Sequence, residues 1–303
     1  MPKNTVGMIG LGIMGSAMSA NLVKAGFDIL GFDPVGARRQ ELKRAGGRTA
    51  KSGRDVAGRA PVIITSMPSA EALASVSAEI AAAGQKGQIV IETSTLPLEV
   101  KQAARKLLAA AGVTLLDCPL SGTGAQARVK DVVVFASGES AAYRKCVPVF
   151  EGFARAHFLI GAFGDGSKMK FIANHLVAIH NVAAAEAMVL GIKAGLDPAL
   201  VLKVVSSGAG TSRMFEVRGP MMVKGDYSDA TMKVSIWQKD MKIIGEYARS
   251  IDCPTPLFMA SAPFYTAAMA MGRANEDTGS VCAVMEELAN TPRSRKARPA
   301  KKR

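Results

Sequence analysis

Short runs of β-branched and aliphatic residues punctuate the first half of the chain. Six of them, at 5–10, 28–33, 62–66, 88–92, 113–117 and 132–137, read as strands. Between them lie stretches rich in Ala, Leu, Lys and Glu, notably 14–25, 70–82 and 97–111, which read as helices. Near-continuous apolar strands alternating with helices of this length predict βαβ units and a parallel, doubly wound α/β sheet. From residue 164 the strand signal fades and helical periodicity in Ala, Met and Leu runs to about 290. The segment 167–194 holds no Pro, and no Gly before Gly191, which predicts one helix of roughly 40 Å at 1.5 Å per residue. The expected organisation is an α/β domain over 1–163 and an all-α domain over 164–290. A long helix joins them, and a tail over 291–303 follows.

The loop GLGIMG, residues 10–15, lies between the first strand and the first helix. A G-x-G-x-x-G match alone is weak in a chain with 30 glycines. Its setting is what gives it meaning. Gly10 permits the turn, Gly12 lets a pyrophosphate approach the backbone, and Gly15 lets helix and strand pack closely. Leu11, Ile13 and Met14 complete the expected cofactor-binding loop, and the helix N-terminus offers N–H groups and partial positive charge to phosphates. Asp33 ends the next strand, where a carboxylate can accept bonds from both ribose hydroxyls. Because a carboxylate repels a 2′-phosphate, Asp33 favours NAD over NADP. Pro34 stands where an NADP site usually has an arginine; Arg38 and Arg39 come later and could reach round, but as helix-surface arginines they are expected to be simply solvated.

Composition narrows the picture further. The 303 residues carry a formal net charge of +13, but seven basic residues lie in the last thirteen positions, which leaves +6 for the first 290. The charge is therefore that of a solvated tail, and nucleic-acid binding is an expectation of low weight. No uninterrupted apolar run reaches the length of a membrane span, and the N-terminus leaves no room for a signal peptide, so no membrane association is expected. Four scattered cysteines form no C-x-x-C pair, which argues against a zinc site and suits a reducing cytoplasm. No metal is expected. His175 and His180 face different sides of a helix, and His157 reads as a surface or packing residue. Lys170 and Asn174, four apart, share a helical face, while Lys168 points elsewhere as a solvated side chain.

Six ordered blocks carry a resemblance. IGLGIMGSAMSANLVKAG, ITSMPS, IETSTLP, DCPLSGTGAQA, GDGSKMKFIAN and QKDM occur in that sequence over residues 5–288. They resemble the β-hydroxyacid dehydrogenase family, the group around 3-hydroxyisobutyrate dehydrogenase within the 6-phosphogluconate dehydrogenase superfamily. The resemblance implies an N-terminal Rossmann domain and a helical domain that closes the active-site cleft and carries the contacts of a homodimer or homotetramer. It implies a small carboxylate substrate, a β-hydroxy acid or its semialdehyde, and NAD as cofactor, with NADP possible. Lys170 stands at the family's general acid/base. A free lysine, with a pKa of about 10.4, is a poor base near neutrality, so the role requires burial. Ser121, Gly122 and Thr123 stand at the clamp for the substrate carboxylate, and Asn174 at the amide that orients the substrate. Met67, Pro68 and Thr95 match positions lining the cofactor, and Lys239 a lysine near its nicotinamide end.

Ala173, Thr123 and Trp237 depart from the family pattern. They leave the substrate open, not the reaction class, with Trp237 reading as packing between helices or, alternatively, as a side chain that narrows the substrate pocket. Two alternatives remain: an NADP-linked glyoxylate or succinic semialdehyde reductase, and a non-catalytic, cofactor-bound protein using its basic tail on nucleic acid.

Overall fold

The computed structural model describes residues 4–291, so the basic tail lies outside the described residues. The chain forms two compact units that divide between Ala173 and Asn174. The first unit opens with β1 (Thr5–Ile9), α1 (Ile13–Lys24), β2 (Asp28–Phe32), α2 (Gly36–Arg44), β3 (Arg48–Thr49) and α3 (Gly53–Ala57). It continues through β4 (Val62–Thr65), α4 (Ala70–Ala83), β5 (Ile89–Glu92), α5 (Leu98–Ala110) and β6 (Thr114–Asp117). Then come β7 (Leu120–Ser121), α6 (Gly124–Arg128), β8 (Val133–Ser137), α7 (Ser140–Phe153) and β9 (Ala156–Gly161).

The strands join one sheet in the order β3-β2-β1-β4-β5-β6-β8-β7, with β9 paired to β8. From β3 to β6 every pairing is parallel. The far side departs from the all-parallel expectation, because β8 runs antiparallel to β6 and β7 while β9 returns parallel to β8. Each strand expected from the sequence is present and one residue shorter, and β3, β7 and β9 are additional.

Period-two alternation explains the two helix layers. Met8, Ile64, Ile91 and Leu116 enter one core with Leu22 and Phe150. Their neighbours Ile9, Ile63, Val90 and Leu115 enter the other with Leu73 and Leu108. Both faces of the central strands are therefore apolar, and each such side chain contributes roughly 1.5–3 kcal/mol.

Helix α8 (Asp165–Lys193) runs across the division. The second unit continues with α9 (Pro198–Ser206), α10 (Arg213–Lys224), α11 (Val234–Ser250), α12 (Pro256–Ala270) and α13 (Val281–Leu288). Local signals set the helix starts: Asp197 caps α9 ahead of Pro198, Ser212 caps α10, and Gly225 closes α10 in the left-handed region. One buried hub ties α10 to the turn before α13. There Asp277 accepts bonds from Arg218 Nε (2.9 Å), the Thr231 hydroxyl (2.8 Å) and the N–H groups of Thr231, Met232 and Gly279. Trp237 is buried against Tyr265, whose hydroxyl donates to the Ala178 carbonyl at 2.9 Å. That contact packs α11 against α12.

By length and composition α8 is long and apolar enough to cross a membrane, with a mean hydropathy of 1.5 over eighteen residues, 39% of them buried. A count of uninterrupted apolar runs misses this. Asn181 and Glu186 break the run while Ala, Val and Leu keep the average high.

Candidate active site

The order of strands reverses between β1 and β4, and ligands of doubly wound sheets bind at the carboxyl ends beside that switch point. The glycine loop begins there. Gly10 has φ +90°, and a Cβ on it would fall 2.3 Å from the Ser66 carbonyl oxygen after β4. At Gly15 a Cβ would fall 1.9 Å from the Gly10 oxygen, which is the close helix–strand approach that admits only glycine. Gly12 is different: nothing lies within 4 Å of where its Cβ would be. Gly12 is also the N-cap of α1, and it leaves the first turn without a side-chain cap among the described residues. Open space against bare backbone at a helix N-terminus fits a pyrophosphate. Leu11 is buried, Met14 half-buried and Ile13 exposed at the loop's rim.

Asp33 is buried at 2% exposure just after β2. Its carboxylate accepts the Leu11 N–H (2.8 Å) and the Val35 N–H (2.8 Å), which locks it to the glycine loop. Arg38 also reaches it, at 3.2 Å, and Arg39 donates to the Asp33 and Pro34 carbonyls while lying over the Phe32 ring. The expectation of simply solvated arginines is therefore corrected. The first turn of α2 bends both side chains back onto the end of β2.

The neighbouring strand ends bring up the other positions singled out in the sequence. After β4 come Met67, buried, and Pro68, exposed; after β5 comes Thr95, half-buried. The Met67 N–H donates to Ser94 Oγ at 2.7 Å, joining these two loops. Ser121 ends β7, and Gly122 follows with φ +134°, where a Cβ would meet Val132 at 2.8 Å. Thr123 caps α6 in a reciprocal box: Gln126 Oε1 accepts its N–H at 3.0 Å, and its hydroxyl accepts the Gln126 N–H at 3.4 Å. A Cβ on Gly124 would lie 2.3 Å from Ile13, and Asn21 donates to the Ala127 carbonyl at 2.7 Å. The 121–124 loop thus lies directly beside the glycine loop.

Lys170 is buried at 8% exposure, one turn into α8 from Ser167. Asn174, four residues further on, belongs to the second unit, where it donates to Asp240 Oδ2 at 3.0 Å. Lys239 pairs with the other oxygen of Asp240 at 3.3 Å. Lys168 is exposed and pairs with Asp165 at 2.8 Å, and the half-buried His157 shares a 2.7 Å hydrogen bond with Tyr143. Among the described residues no group of three or more metal-binding side chains converges.

The sequence alone did not reveal a buried ion cluster at the ends of β5 and β6. Lys101 of α5 lies 2.7 Å from Glu92 and 2.7 Å from Asp117, with all three side chains fully buried. Burial works against the Lys101 charge, but Asp117 and Glu92 outweigh it and raise its pKa above the ordinary lysine value. The only available signal was the two acids, Glu92 and Asp117, that end the apolar runs of β5 and β6; Lys101 stands among the other polar residues of α5 and carries no mark.

A glycine loop at a switch point, an open helix N-terminus and a buried acid locked to that loop define a dinucleotide-binding protein of the Rossmann class. Comparison with known proteins narrows this. Residues 5–161 match the NAD binding domain of 6-phosphogluconate dehydrogenase, and residues 164–285 match the NAD-binding model of NADP-dependent 3-hydroxyisobutyrate dehydrogenase. An L-threonate dehydrogenase of Cupriavidus necator is 35% identical over 93% of this chain and 95% of its own. A 2-hydroxy-3-oxopropionate reductase of Escherichia coli is 28% identical over 94% of this chain and 98% of its own. The crystal structure of a 3-hydroxyisobutyrate dehydrogenase from Salmonella typhimurium superposes with a TM-score of 0.84 at 31% identity, covering 92% of this chain and 99% of that one. The chain belongs to the β-hydroxyacid dehydrogenase family, and it is an NAD(P)-binding oxidoreductase of the 3-hydroxyisobutyrate dehydrogenase type.

Proposed function

We propose that the enzyme interconverts a small β-hydroxy acid and its semialdehyde, prefers NAD, and uses Lys170 as general acid/base. The observation that carries this reading is a buried lysine at the start of α8, in the unit that holds the glycine loop. A bound nicotinamide dinucleotide supplies the hydride acceptor. Gly10, Gly12 and Gly15 and the first N–H groups of α1 hold its pyrophosphate, and Asp33 reads the ribose. Met67, Pro68, Thr95 and Lys239 line it. In the oxidative direction the neutral amine of Lys170 takes the hydroxyl proton; in the reverse direction the ammonium returns it to the carbonyl oxygen. Ser121, Gly122 and Thr123 clamp the substrate carboxylate, with Gln126 competing for the Thr123 N–H. Asn174, held by Asp240, orients the substrate.

The domain assignment goes with this reading: residues 1–163 bind dinucleotide and 164–290 serve substrate and assembly. Exposed Leu190, Leu200, Val204 and Leu257 in the second unit support an assembly of two or four copies. Four cysteines, none of them in a disulfide, support a cytoplasmic location.

Lys170→Ala is expected to lower kcat by roughly 10²–10⁴-fold while leaving the Kd for NADH unchanged. Steady-state kinetics with NADH titration checks this, and an unimpaired variant ends the proposal. The substrate follows from a spectrophotometric screen of L-threonate, 3-hydroxyisobutyrate, glycerate, tartronate semialdehyde, glyoxylate and succinic semialdehyde. One observation favours the NADP-linked reductase instead: Arg38 pairs with Asp33 at 3.2 Å, which puts a cation beside the carboxylate proposed to read the ribose. The ratio of kcat/KM with NADH to that with NADPH decides between them.

A further inference from the structure

We propose that the buried Glu92–Lys101–Asp117 cluster is a positioning device for Lys170, acting through Ser167; this inference rests on the general acid/base reading of Lys170. Each arm of the cluster ends on a functional segment. Asp117 Oδ2 accepts the Ser167 N–H at 2.8 Å, and Asp117 Oδ1 accepts the Ser167 hydroxyl at 2.8 Å. Ser137 adds a third tie: its hydroxyl donates to Asp117 Oδ2 at 3.2 Å and accepts the Gly164 N–H at 3.2 Å. On the other side, Glu92 Oε1 accepts the Ser94 N–H at 2.9 Å, and Ser94 Oγ holds the Met67 N–H.

Packing makes the attachment rigid. A Cβ on Gly166 would fall 2.2 Å from the Phe135 oxygen and 2.8 Å from the Asp117 oxygen, so the first turn of α8 lies directly on the ends of β6 and β8. Ser167 precedes Lys170 by three residues, which puts the two on neighbouring positions of one helical face. Any shift of Ser167 therefore travels through the helix to the amine. A misplacement of about 1 Å at a reacting group can cost on the order of 10²-fold in rate.

Stability alone does not explain the cluster. Buried ion groups are often matched or bettered by apolar residues of similar volume, whereas a charged cluster fixes direction and register. Lys101 holds two carboxylates whose remaining oxygens point to the cofactor-side loop and to the α8 start, so one cation sets both in place.

The test is a cycle of Ser167→Ala, Lys170→Ala and the double variant, with Lys101→Met as a second probe of the cluster. Readouts are kcat and KM for the acid turned over fastest in the screen, NADH binding by fluorescence titration, and thermal unfolding. Ser167→Ala is expected to lower kcat roughly 10-fold or more, with the NADH Kd within about twofold of the parent, and to add no further loss once Lys170 is removed. Full kcat in Ser167→Ala, or losses that multiply in the double variant, overturns the positioning role. An unimpaired Lys170→Ala instead overturns the reading of Lys170 itself. Should Lys101→Met fail to fold, the Ser167 cycle decides alone.

Discussion

The three glycines of the first loop look alike in the sequence and do different work. Gly15 is fixed by contact, since its Cβ would overlap the Gly10 carbonyl, whereas Gly12 borders open space. Gly15→Ala is therefore expected to destabilise the first unit by about 3 kcal/mol, at the upper end of overpacking costs. Gly12→Ala should leave the unfolding midpoint unchanged and weaken NADH binding. Urea unfolding and NADH titration on the two variants separate these outcomes, and equal destabilisation would refute the distinction. This loop was legible from sequence because its three glycines and the helix they open lie within a few residues, although Ser66 and Asp33, which close it in, come from later strand ends. The occupancy of Asp33 by Arg38 was not, because the direction of a helix-surface arginine depends on how α2 leaves β2. The Glu92–Lys101–Asp117 cluster was hidden for a stronger reason: its partners are brought together only by strand order, and Ser167 lies 50 residues beyond Asp117.

Among the elements, strand positions followed from apolar runs, and helices from periodicity and caps. What pattern alone could not supply was pairing. β7 and β3 span two residues each, too short for periodicity, and β9 was not among the six runs read as strands. The direction of β8 is likewise decided by the short connection through β7 and α6. In the helical unit, the Arg218–Asp277 pair was equally invisible, joining positions 59 residues apart. Burial works to raise the Asp277 pKa, but Arg218, the Gly279 and Met232 N–H groups and Thr231 outweigh it and hold the carboxyl below its ordinary value. A lowered folded pKa means that this stability is present above the unfolded value of about 4, and is lost as pH falls through the lower folded value. Arg218→Ala leaves a buried carboxylate without its cation and is expected to cost about 3–5 kcal/mol at pH 7. Denaturant unfolding of parent and variant at neutral pH measures that loss, and a change below about 1 kcal/mol would remove the hub from any account of this unit's stability.

For the whole chain, the switch from strand–helix alternation to helices alone was readable near residue 164, and the two family matches part at that point, ending at 161 and resuming at 164. The division into compact units falls a little later, inside α8, because a continuous helix carries no sequence mark where its packing partners change. The apolar average of α8 was also missed, since scattered polar residues mask it from any count of unbroken runs.

The distribution of sulfur across the molecule has a practical outcome. Cys118, Cys146 and Cys282 are buried, and only Cys253, just past the end of α11, is exposed. Burial pushes the Cys118 thiol well up and that of Cys146 up to about 12, so neither forms thiolate near neutrality. The native enzyme should take up about one equivalent of a maleimide dye, and the denatured chain four, as read by mass spectrometry. Cys253 thereby offers a single attachment point for a reporter, available without engineering away any other thiol.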